Sequence, residues 1–533
     1  MSGQRPIVAT TNIPPSRGQR LFLYGTAACT GAAVMVIEIL GAKMLAPYVG
    51  TSHFVWTAQI VVTLLALATG YYVGGRWVDR SPRTSSLYWA ILAAGIYLSL
   101  AVTQVERIAY ACLNFKLALG SLLASSALFF VPLALLAVTG PFLVRTLTLA
   151  LGKLGGSMGR LTAVSTMGSV VGTVLVGYVL VPLLPNSLTM LIVAGALMML
   201  SVVYLALWRI GGVANYAAAL ALIVPVACGV QIQSKGLLVT PSFRGLFQIN
   251  SNFGQLQVFE SRQKPYRYLL NDNLHQGAYD TSLRKGLGSW SDVLFELARA
   301  YTTNVQDALV IGLGVGLVPM QLAKQGARVD VVEINPTVVE LAQRFFGLEP
   351  EKLNIILGDG RQFINGNRKK YDVVVLDAFL GEAAPAHLMT KEAFTAIKNL
   401  LNPNGVLVVN CHGSLAPGHD FLIASLRRTL STAFASVQVR TSQDSDKVAN
   451  VFFVASPAQL TLRRVPDFSN VHPNNRQFAE STFSRVVEPR SSEGIVVTDD
   501  FNPVDYYEAA NREESRRTMV TTMQTVEKEG AGL

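Results

Sequence analysis

The 533-residue chain is short of charge: 15% of its residues are Asp, Glu, Lys or Arg, against 50% in the broad hydrophobic set. Soluble domains carry roughly a quarter charged residues, so a single soluble globule is excluded and the apolar excess must be concentrated somewhere. Cysteine is scarce as well. The four present, Cys29, Cys112, Cys228 and Cys411, form no CxxC pair, which excludes a disulfide framework or thiolate zinc site and leaves them as buried, inert thiols. The six histidines show no metal-ligand spacing, so His275, His387 and His412 read as surface or core residues and no metal is expected. The composition also excludes a disordered or collagenous chain.

What is abundant is apolar residues in the first half. Runs of about 20 residues, each long enough to cross a bilayer as helix, follow one another with short polar joints. They fall near residues 21–39, 55–73, 87–103, 121–144, 163–183, 188–208 and 216–231. The first run is long and lacks a small-residue cleavage site, so it reads as a span rather than a cleaved leader.

The formal charge of +10 raises nucleic acid, an anionic membrane surface or membrane topology as explanations. Position decides. Arg5, Arg17 and Arg20 precede span one, Arg76, Arg80 and Arg83 follow span two, and Arg145, Lys153 and Arg160 separate spans four and five. The alternate joints hold only Lys43, Arg107 and Lys116. The positive-inside rule therefore places the N-terminus in the cytosol of a multi-pass protein of the cell (inner) membrane, and nucleic acid is not an expected partner. Seven crossings then put the rest of the chain outside the cytosol unless one span is miscounted, with 121–144 and 237–249 the regions in question, so the side of the C-terminal domain stays open. Glu38, inside the run 34–40, would be costly in lipid unless paired, and Lys43 is its nearest candidate partner in sequence.

From about residue 237 the texture changes. Residues 254–260 and 266–270 read as a small antiparallel β unit. An alternation of strand and helix follows, with strands at 308–312, 328–334, 354–357, 371–376 and 405–410 and helices at 318–325 and 337–346, then a closing hairpin at 436–441 and 450–455. That rhythm predicts an α/β, doubly wound, mainly parallel Rossmann-like sheet. Ligands of such sheets sit at the carboxyl ends of the strands. There stand Gly312, Gly314 and Gly316 in one glycine-rich turn, then Glu333, then Asp359 with Gly360, then Asp377. A glycine turn lets backbone approach a ligand, a carboxylate about 20 residues on can hold ribose hydroxyls, and an acid after the third strand can accept from an adenine amino group. Together these residues predict a nucleoside pocket.

The Gly-x-Gly-x-Gly turn and the acids after strands three and four resemble the AdoMet-dependent methyltransferase fold, and within it the spermidine synthase (polyamine aminopropyltransferase) family in its membrane-fused bacterial form. The stretch Glu38 to Pro47 and the string Thr498 to Asp505 are similar to that fused group. The resemblance implies a transferase of polyamine biosynthesis that moves an aminopropyl group from decarboxylated AdoMet, or uses AdoMet, as donor co-substrate. It further implies that Asp272-Asn273-Leu274-His275-Gln276 matches the family's Asp-Gly-x-x-Gln turn, with Gln276 on the nucleoside, and that Asp377 is the proton acceptor. Its expected partners are an amine or other small acceptor and membrane lipid, and a homodimer is left open. The chain departs from the pattern at Val315, Leu380 and Gly254, where family residues that contact the substrates are expected, with Glu382 and Gln255 close by; Tyr279 and Trp290 remain as aromatic candidates for the amine site. Two other readings stand beside it: an AdoMet-dependent methyl or alkyl transferase, and a permease-like carrier with a nucleoside-sensing domain.

The expected organisation is a cytosolic tail (1–20), a seven-span bundle (21–231), a small β unit (237–285), a nucleoside-binding catalytic domain (286–510) and a polar tail (511–533).

Overall fold

The structure is a computed structural model that describes residues 15–50, 52–148, 154–208, 213–234, 242–251, 253–379, 385–441, 448–489 and 494–517. The chain divides into two compact units.

The first unit is built from seven long apolar helices: α1 (Arg17–Val49), α2 (His53–Arg80), α3 (Thr84–Cys112), α4 (Leu117–Leu147), α5 (Gly155–Leu183), α6 (Asn186–Trp208) and α7 (Asn215–Gln233). Each expected apolar run lies within one of them, extended at the ends. Small residues set their spacing. Gly168 and Gly172 of α5 lie so close to α1 that an added Cβ would meet the backbone of Ala28 and Ala32, and Ser169 Oγ donates to the Gly31 carbonyl at 3.1 Å. Close backbone approach of this kind is how apolar helices associate where no water drives them together. Between α3 and α6, Tyr88 stacks on Tyr204 with ring centroids 3.6 Å apart, and its hydroxyl is 2.8 Å from that of Thr26. The outward side chains are apolar too: Leu64, Leu65, Val170, Val171, Val174, Val226 and Val230 are exposed. Cys112 and Cys228 are buried as expected, whereas Cys29 is exposed, because a thiol on an all-round apolar helix can as readily face outward. Glu38 is half-buried on α1.

Replacing Gly168 by Val forces a side chain into the Ala28 backbone. Overpacking costs roughly 1–3 kcal/mol, so the variant should lose its fold at a lower temperature in detergent. Gly159→Ala, with open space around its Cβ, should behave as the parent.

The second unit contains residues from Lys235 onward together with the connections Leu45–Trp56 and Ala109–Ser121. It opens with a five-stranded antiparallel sheet, β1 (Phe243–Ser251), β2 (Gly254–Ser261), β3 (Tyr266–Asn271), β4 (Leu274–Asp280) and β5 (Lys285–Gly286). The β unit is therefore larger than the two strands expected. The Asp272–Asn273 turn is only two residues long. Both have positive φ, 48° and 62°, the primed hairpin geometry that Asn and Asp tolerate, so Leu274 already pairs with Asn271.

After α8 (Ser289–Ala300) the main domain runs β6 (Asp307–Ile311), α9 (Leu317–Lys324), β7 (Arg328–Glu333), α10 (Pro336–Phe346), β8 (Asn354–Leu357), α11 (Gly360–Gly366), β9 (Tyr371–Leu376), α12 (Lys391–Leu400), β10 (Leu401–Gly413), α13 (Phe421–Ala433), β11 (Ser436–Arg440), β12 (Ala449–Ser456), α14 (Arg476–Ser484) and β13 (Val486–Val487). The sheet order is β13-β11-β12-β10-β9-β6-β7-β8. Five strands are parallel, and the β11–β12 hairpin adds antiparallel to β10. This is the doubly wound, methyltransferase-like sheet that the strand and helix rhythm predicts.

Alternation along the strands fills both faces. Leu309, Ile311, Val374, Leu376, Leu407 and Val409 pack with Phe394, Ile397 and Leu426 on one side; Ala308, Val310, Val373, Val375, Val406 and Val408 pack with Val293, Leu297 and Phe483 on the other. A buried side chain of this size contributes about 1.5–3 kcal/mol, so two continuous layers hold the strand ends in fixed register. A third cluster, with Leu256, Val258, Leu269, Tyr279, Val315, Leu341 and Phe346, joins the small sheet to the main domain.

The expected polar tail (511–533) begins in a helical segment: residues 509–517 are largely helical, and Asn511 and Arg516 are only 2% and 1% exposed. Arg516 Nη1 donates to the Pro47 carbonyl at 3.1 Å, Asn511 Nδ2 to the His419 carbonyl at 2.9 Å, and the exposed Arg517 through Nε to the Leu113 carbonyl at 2.8 Å. Arg516 and Asn511 are thus buried with hydrogen bonds to backbone, which leaves no apolar periodicity to read.

Candidate active site

The sheet reverses its winding between β6 and β9: β7 and β8 extend one way from β6, while β10 extends the other way from β9. At such a switch point the connections part and leave a crevice beyond the strand ends. A cavity of about 350 Å³ lies there, within the size range of small-molecule sites.

Seven of the eight residues expected from the sequence line it: Gln276, Gly312, Gly314, Glu333, Asp359, Gly360 and Asp377. The eighth, Gly316, is not among the lining residues. It is buried at the start of α9 with a φ of 82°, a left-handed conformation that glycine holds without strain, so its role is to cap the helix. Gly312 has a φ of 95° and sits where a Cβ would strike the Asp377 carbonyl. The bare backbone thus lets the ends of β6 and β9 close together, with Asp377 N donating to the Ile311 carbonyl at 2.9 Å.

Glu333, at the end of β7, is 7% exposed. Its Oε2 accepts from Leu313 N at 2.9 Å and its Oε1 from Asn335 N at 2.8 Å. Burial pushes this carboxyl above the usual range, and the amide donors oppose that shift. The carboxylate fixes the glycine turn and keeps further lone pairs for a ligand. Asp359 caps α11, accepting from Gln362 N at 2.9 Å, and its second oxygen lies 3.1 Å from His387 Nε2. The N-cap role and the cavity-lining role therefore coincide in one residue. The string from Thr498 braces this corner: Asp499 accepts from Arg361 Nη2 at 2.7 Å and from Thr390 Oγ1 at 2.6 Å.

Asp377 lies deep in the protein, open to the cavity. Its carboxyl is pushed up to about 6 by burial, opposed by a hydrogen bond from Asn410. Asn410 Nδ2 donates to Asp377 Oδ1 at 2.8 Å, and Asn450 Nδ2 donates to Asn410 Oδ1 at 3.0 Å. This chain holds one carboxylate oxygen and leaves the other for a substrate proton. Replacing Asn410 by Ala removes the bond that favours the ionised form. The acid limb of the pH–rate profile should then move above its parental position, with the base form needing higher pH to appear; an unmoved limb contradicts the assignment.

Asn410, Asn450 and Ser515 line the cavity without having been read as site residues. Asn410 could have been found by the same strand-end rule, since it closes the expected strand 405–410. Asn450 enters from an antiparallel strand, and Ser515 from the C-terminal helical segment, where no motif points. His275, His387 and His412 also line the cavity; His275 and His387 are exposed residues, as a surface reading expects. His275 is exposed towards the cavity, and the protein around it pushes its imidazole down to about 4 by desolvation, so it stays neutral near pH 7, edge-on to Trp290 at 5.4 Å. Cys411 is buried, and burial pushes its thiol up, as for an inert residue.

The departures from the family pattern also find places. Val315 is 6% exposed and packs in the cluster beneath the small sheet, where a charge would be unpaired. Gln255 bonds to Asn250 and Gln257 within that sheet, and Tyr279 packs at Phe346; none of these three lines the cavity, whereas Trp290 does. Leu380 and Glu382 lie outside the described residues.

The residues present fit a nucleoside sulfonium. Leu256, Leu269, Val338 and Leu388 offer apolar walls to a flat base. Carboxylates stand at three strand ends, and the space above Gly314 is open, the nearest atom to an added Cβ being the Gln276 carbonyl at 3.9 Å.

Comparison with known proteins agrees with this geometry. Residues 289–443 match the family described as the spermine/spermidine synthase domain. The chain is 27% identical over 259 residues to a probable polyamine aminopropyl transferase of Bifidobacterium longum, covering 45% of this chain and 57% of that protein. It is 44% identical over 108 residues to a polyamine aminopropyltransferase of Vibrio vulnificus, covering 19% and 36%. It is 38% identical over 115 residues to an N-terminal histidine N-methyltransferase of Emericella nidulans, covering 21% and 20%. The chain thus spans little more than half the length of the first of these relatives, and less of the other two. On the match and on the strand-end constellation together, the C-terminal part of the chain contains a spermine/spermidine synthase domain.

Proposed function

We propose that the protein is a membrane-bound transferase that moves an aminopropyl group from decarboxylated AdoMet to an amine. The observation that carries this reading is Asp377, held by Asn410 at the edge of a cavity whose other strand ends carry Glu333 and Asp359. Glu333 would hold the ribose, Asp359 and Gly360 the adenine end, Gln276 and Gly314 the rest of the donor. When bound, the donor supplies an electrophilic carbon next to a positively charged sulfur.

An alkyl amine attacks only when deprotonated, and with a pKa near 10.4 roughly one molecule in a few thousand is ready at neutral pH. Asp377 accepts a proton from the amine nitrogen as the new C–N bond forms and the donor's C–S bond breaks to release the neutral thioether, a role typically contributing on the order of 10²- to 10⁴-fold. Its raised pKa suits it, since a base titrating near 6 is ionised at pH 7 and still basic enough to help. His275, neutral in this range, adds no competing positive charge.

The apolar outer surface of α1 to α7 supports the membrane part of the reading, because a helix that is apolar all round is stable in lipid. A second reading, methyl transfer from AdoMet, is favoured by the shared segment with the histidine N-methyltransferase. Product analysis separates them. Detergent-solubilised full-length protein incubated with decarboxylated AdoMet and simple amines should release methylthioadenosine; S-adenosylhomocysteine formed from AdoMet instead would replace the first reading with the second.

A further inference from the structure

We infer that the cavity at Asp377 faces the compartment opposite the N-terminus, outside the cytosol. The inference rests on the reading of α1 to α7 as membrane spans. The C-terminal domain shares its compact unit with two connections, Leu45–Trp56 and Ala109–Ser121, which follow the first and third spans. The hydrogen bonds are direct. Pro47 O accepts from Arg516 Nη1 at 3.1 Å and from Asn273 Nδ2 at 3.4 Å. Arg517 Nη2 reaches the Asn114 carbonyl at 3.2 Å, and Glu513 Oε2 accepts from Leu117 N at 3.0 Å.

Groups joined at these distances cannot stand on opposite sides of a hydrocarbon layer about 30 Å thick. Had one of the seven helices failed to cross between α4 and α7, the domain would emerge on the other side from both connections. The hydrogen bonds therefore fix the parity of the chain independently of counting apolar runs. The region 237–249, the alternative candidate for an extra crossing, contributes strand β1 from Phe243 onward.

The side itself follows from charge. The N-terminal segment and the joints after spans two, four and six carry Arg5, Arg17, Arg20, Arg76, Arg80, Arg83, Arg145, Lys153, Arg160 and Arg209, while the joints after spans one, three and five carry Lys43, Arg107 and Lys116. Joints this short obey the positive-inside rule. The domain is on the poor side.

A consequence follows for the reaction. A nucleoside sulfonium is charged and does not cross lipid unaided, so a step that carries the donor outward must precede this transfer, and the acceptor amine is one present outside. Ser515 lines the cavity beside Arg516, which is bound to Pro47, so the helical segment that forms one wall is also the one tied to the first connection.

The test uses the full-length chain in intact cells with single cysteines introduced at Leu283, exposed on the C-terminal domain, and at Arg83, in the joint after span two. A membrane-impermeant maleimide should label Leu283→Cys in intact cells and Arg83→Cys only after permeabilisation. The reverse pattern overturns the inference. If alkaline carbonate instead releases the unlabelled chain from the membrane fraction, the spanning reading itself fails, and the inference with it. Neither readout depends on catalytic activity.

Discussion

Asp377→Asn should lose about 10²- to 10⁴-fold in kcat, the usual contribution of a positioned general base, while the KM for the donor changes little. The amide keeps the size of the carboxylate and can still bond with Asn410, so the cavity stays formed. It cannot take a proton from the attacking amine nitrogen. The pH profile adds a sign. In the parent, the group must be ionised to act, and burial places its titration at about 6. The rate should rise steeply with pH through that value and less steeply above it, the continuing rise coming from deprotonation of the acceptor, whose own pKa lies near 10.4. In Asp377→Asn the limb near 6 should vanish. His275 cannot imitate it, because its imidazole titrates at about 4.

Glu333→Ala should act on binding rather than on the chemical step. The carboxylate accepts from Leu313 N and Asn335 N at 2.9 and 2.8 Å and lines the cavity proposed for the nucleoside. Hydrogen bonds to charged groups are worth about 1.5–3 kcal/mol each, so losing the ribose contact and loosening the glycine turn should weaken the donor on the order of 100-fold. The kcat at saturating donor should fall far less. Two buried amides also lose their partner, which costs about 1–3 kcal/mol apiece, so the heat-denaturation midpoint should drop as well. Titration of the purified variant with methylthioadenosine measures the first effect, and a thermal scan the second. A variant that binds the nucleoside as the parent does would remove Glu333 from the site.

The two expected effects would divide the site into a part that binds and a part that reacts, and the cavity-lining residues were legible in the sequence because strand ends are where the fold exposes its ligand-facing residues. Gly312, Glu333, Asp359 and Asp377 each follow an apolar strand, and period-two burial fixes which residue is last. The seven apolar helices were legible for a similar reason, since length and uniform apolarity suffice to mark them. The missing pieces share a different cause. Strands β1 and β4 belong to a mixed-polarity sheet, where alternation is weak. Asn450 reaches the cavity from the antiparallel strand β12, whose neighbour is set by sheet order rather than by sequence. The segment 509–517 packs through Arg516 and Asn511, whose burial depends on partners distant in sequence, Pro47 for Arg516 and His419 for Asn511. Val315, where the chain departs from the family pattern, is a core residue beneath the small sheet, a placement set by tertiary packing rather than by the glycine turn.

Position explains why the cavity-lining of the three histidines was not legible in the sequence. His275 follows a two-residue turn, His387 lies in a short helical turn, and His412 lies in β10 past the strand expected at 405–410. None carries spacing that marks it. The cavity gathers them through tertiary structure alone.

The central claim is that this cavity binds a nucleoside sulfonium and that Asp377 serves aminopropyl transfer within it. The most direct measurement is a single-turnover mixing of the solubilised full-length protein with decarboxylated AdoMet and a simple primary amine at pH 8, with methylthioadenosine and alkylated amine counted together. The parent should form the two products in equal amounts, one per site, and Asp377→Asn should form them at least 10²-fold more slowly. No methylthioadenosine from the parent with any amine, or equal rates from the two proteins, would contradict the account.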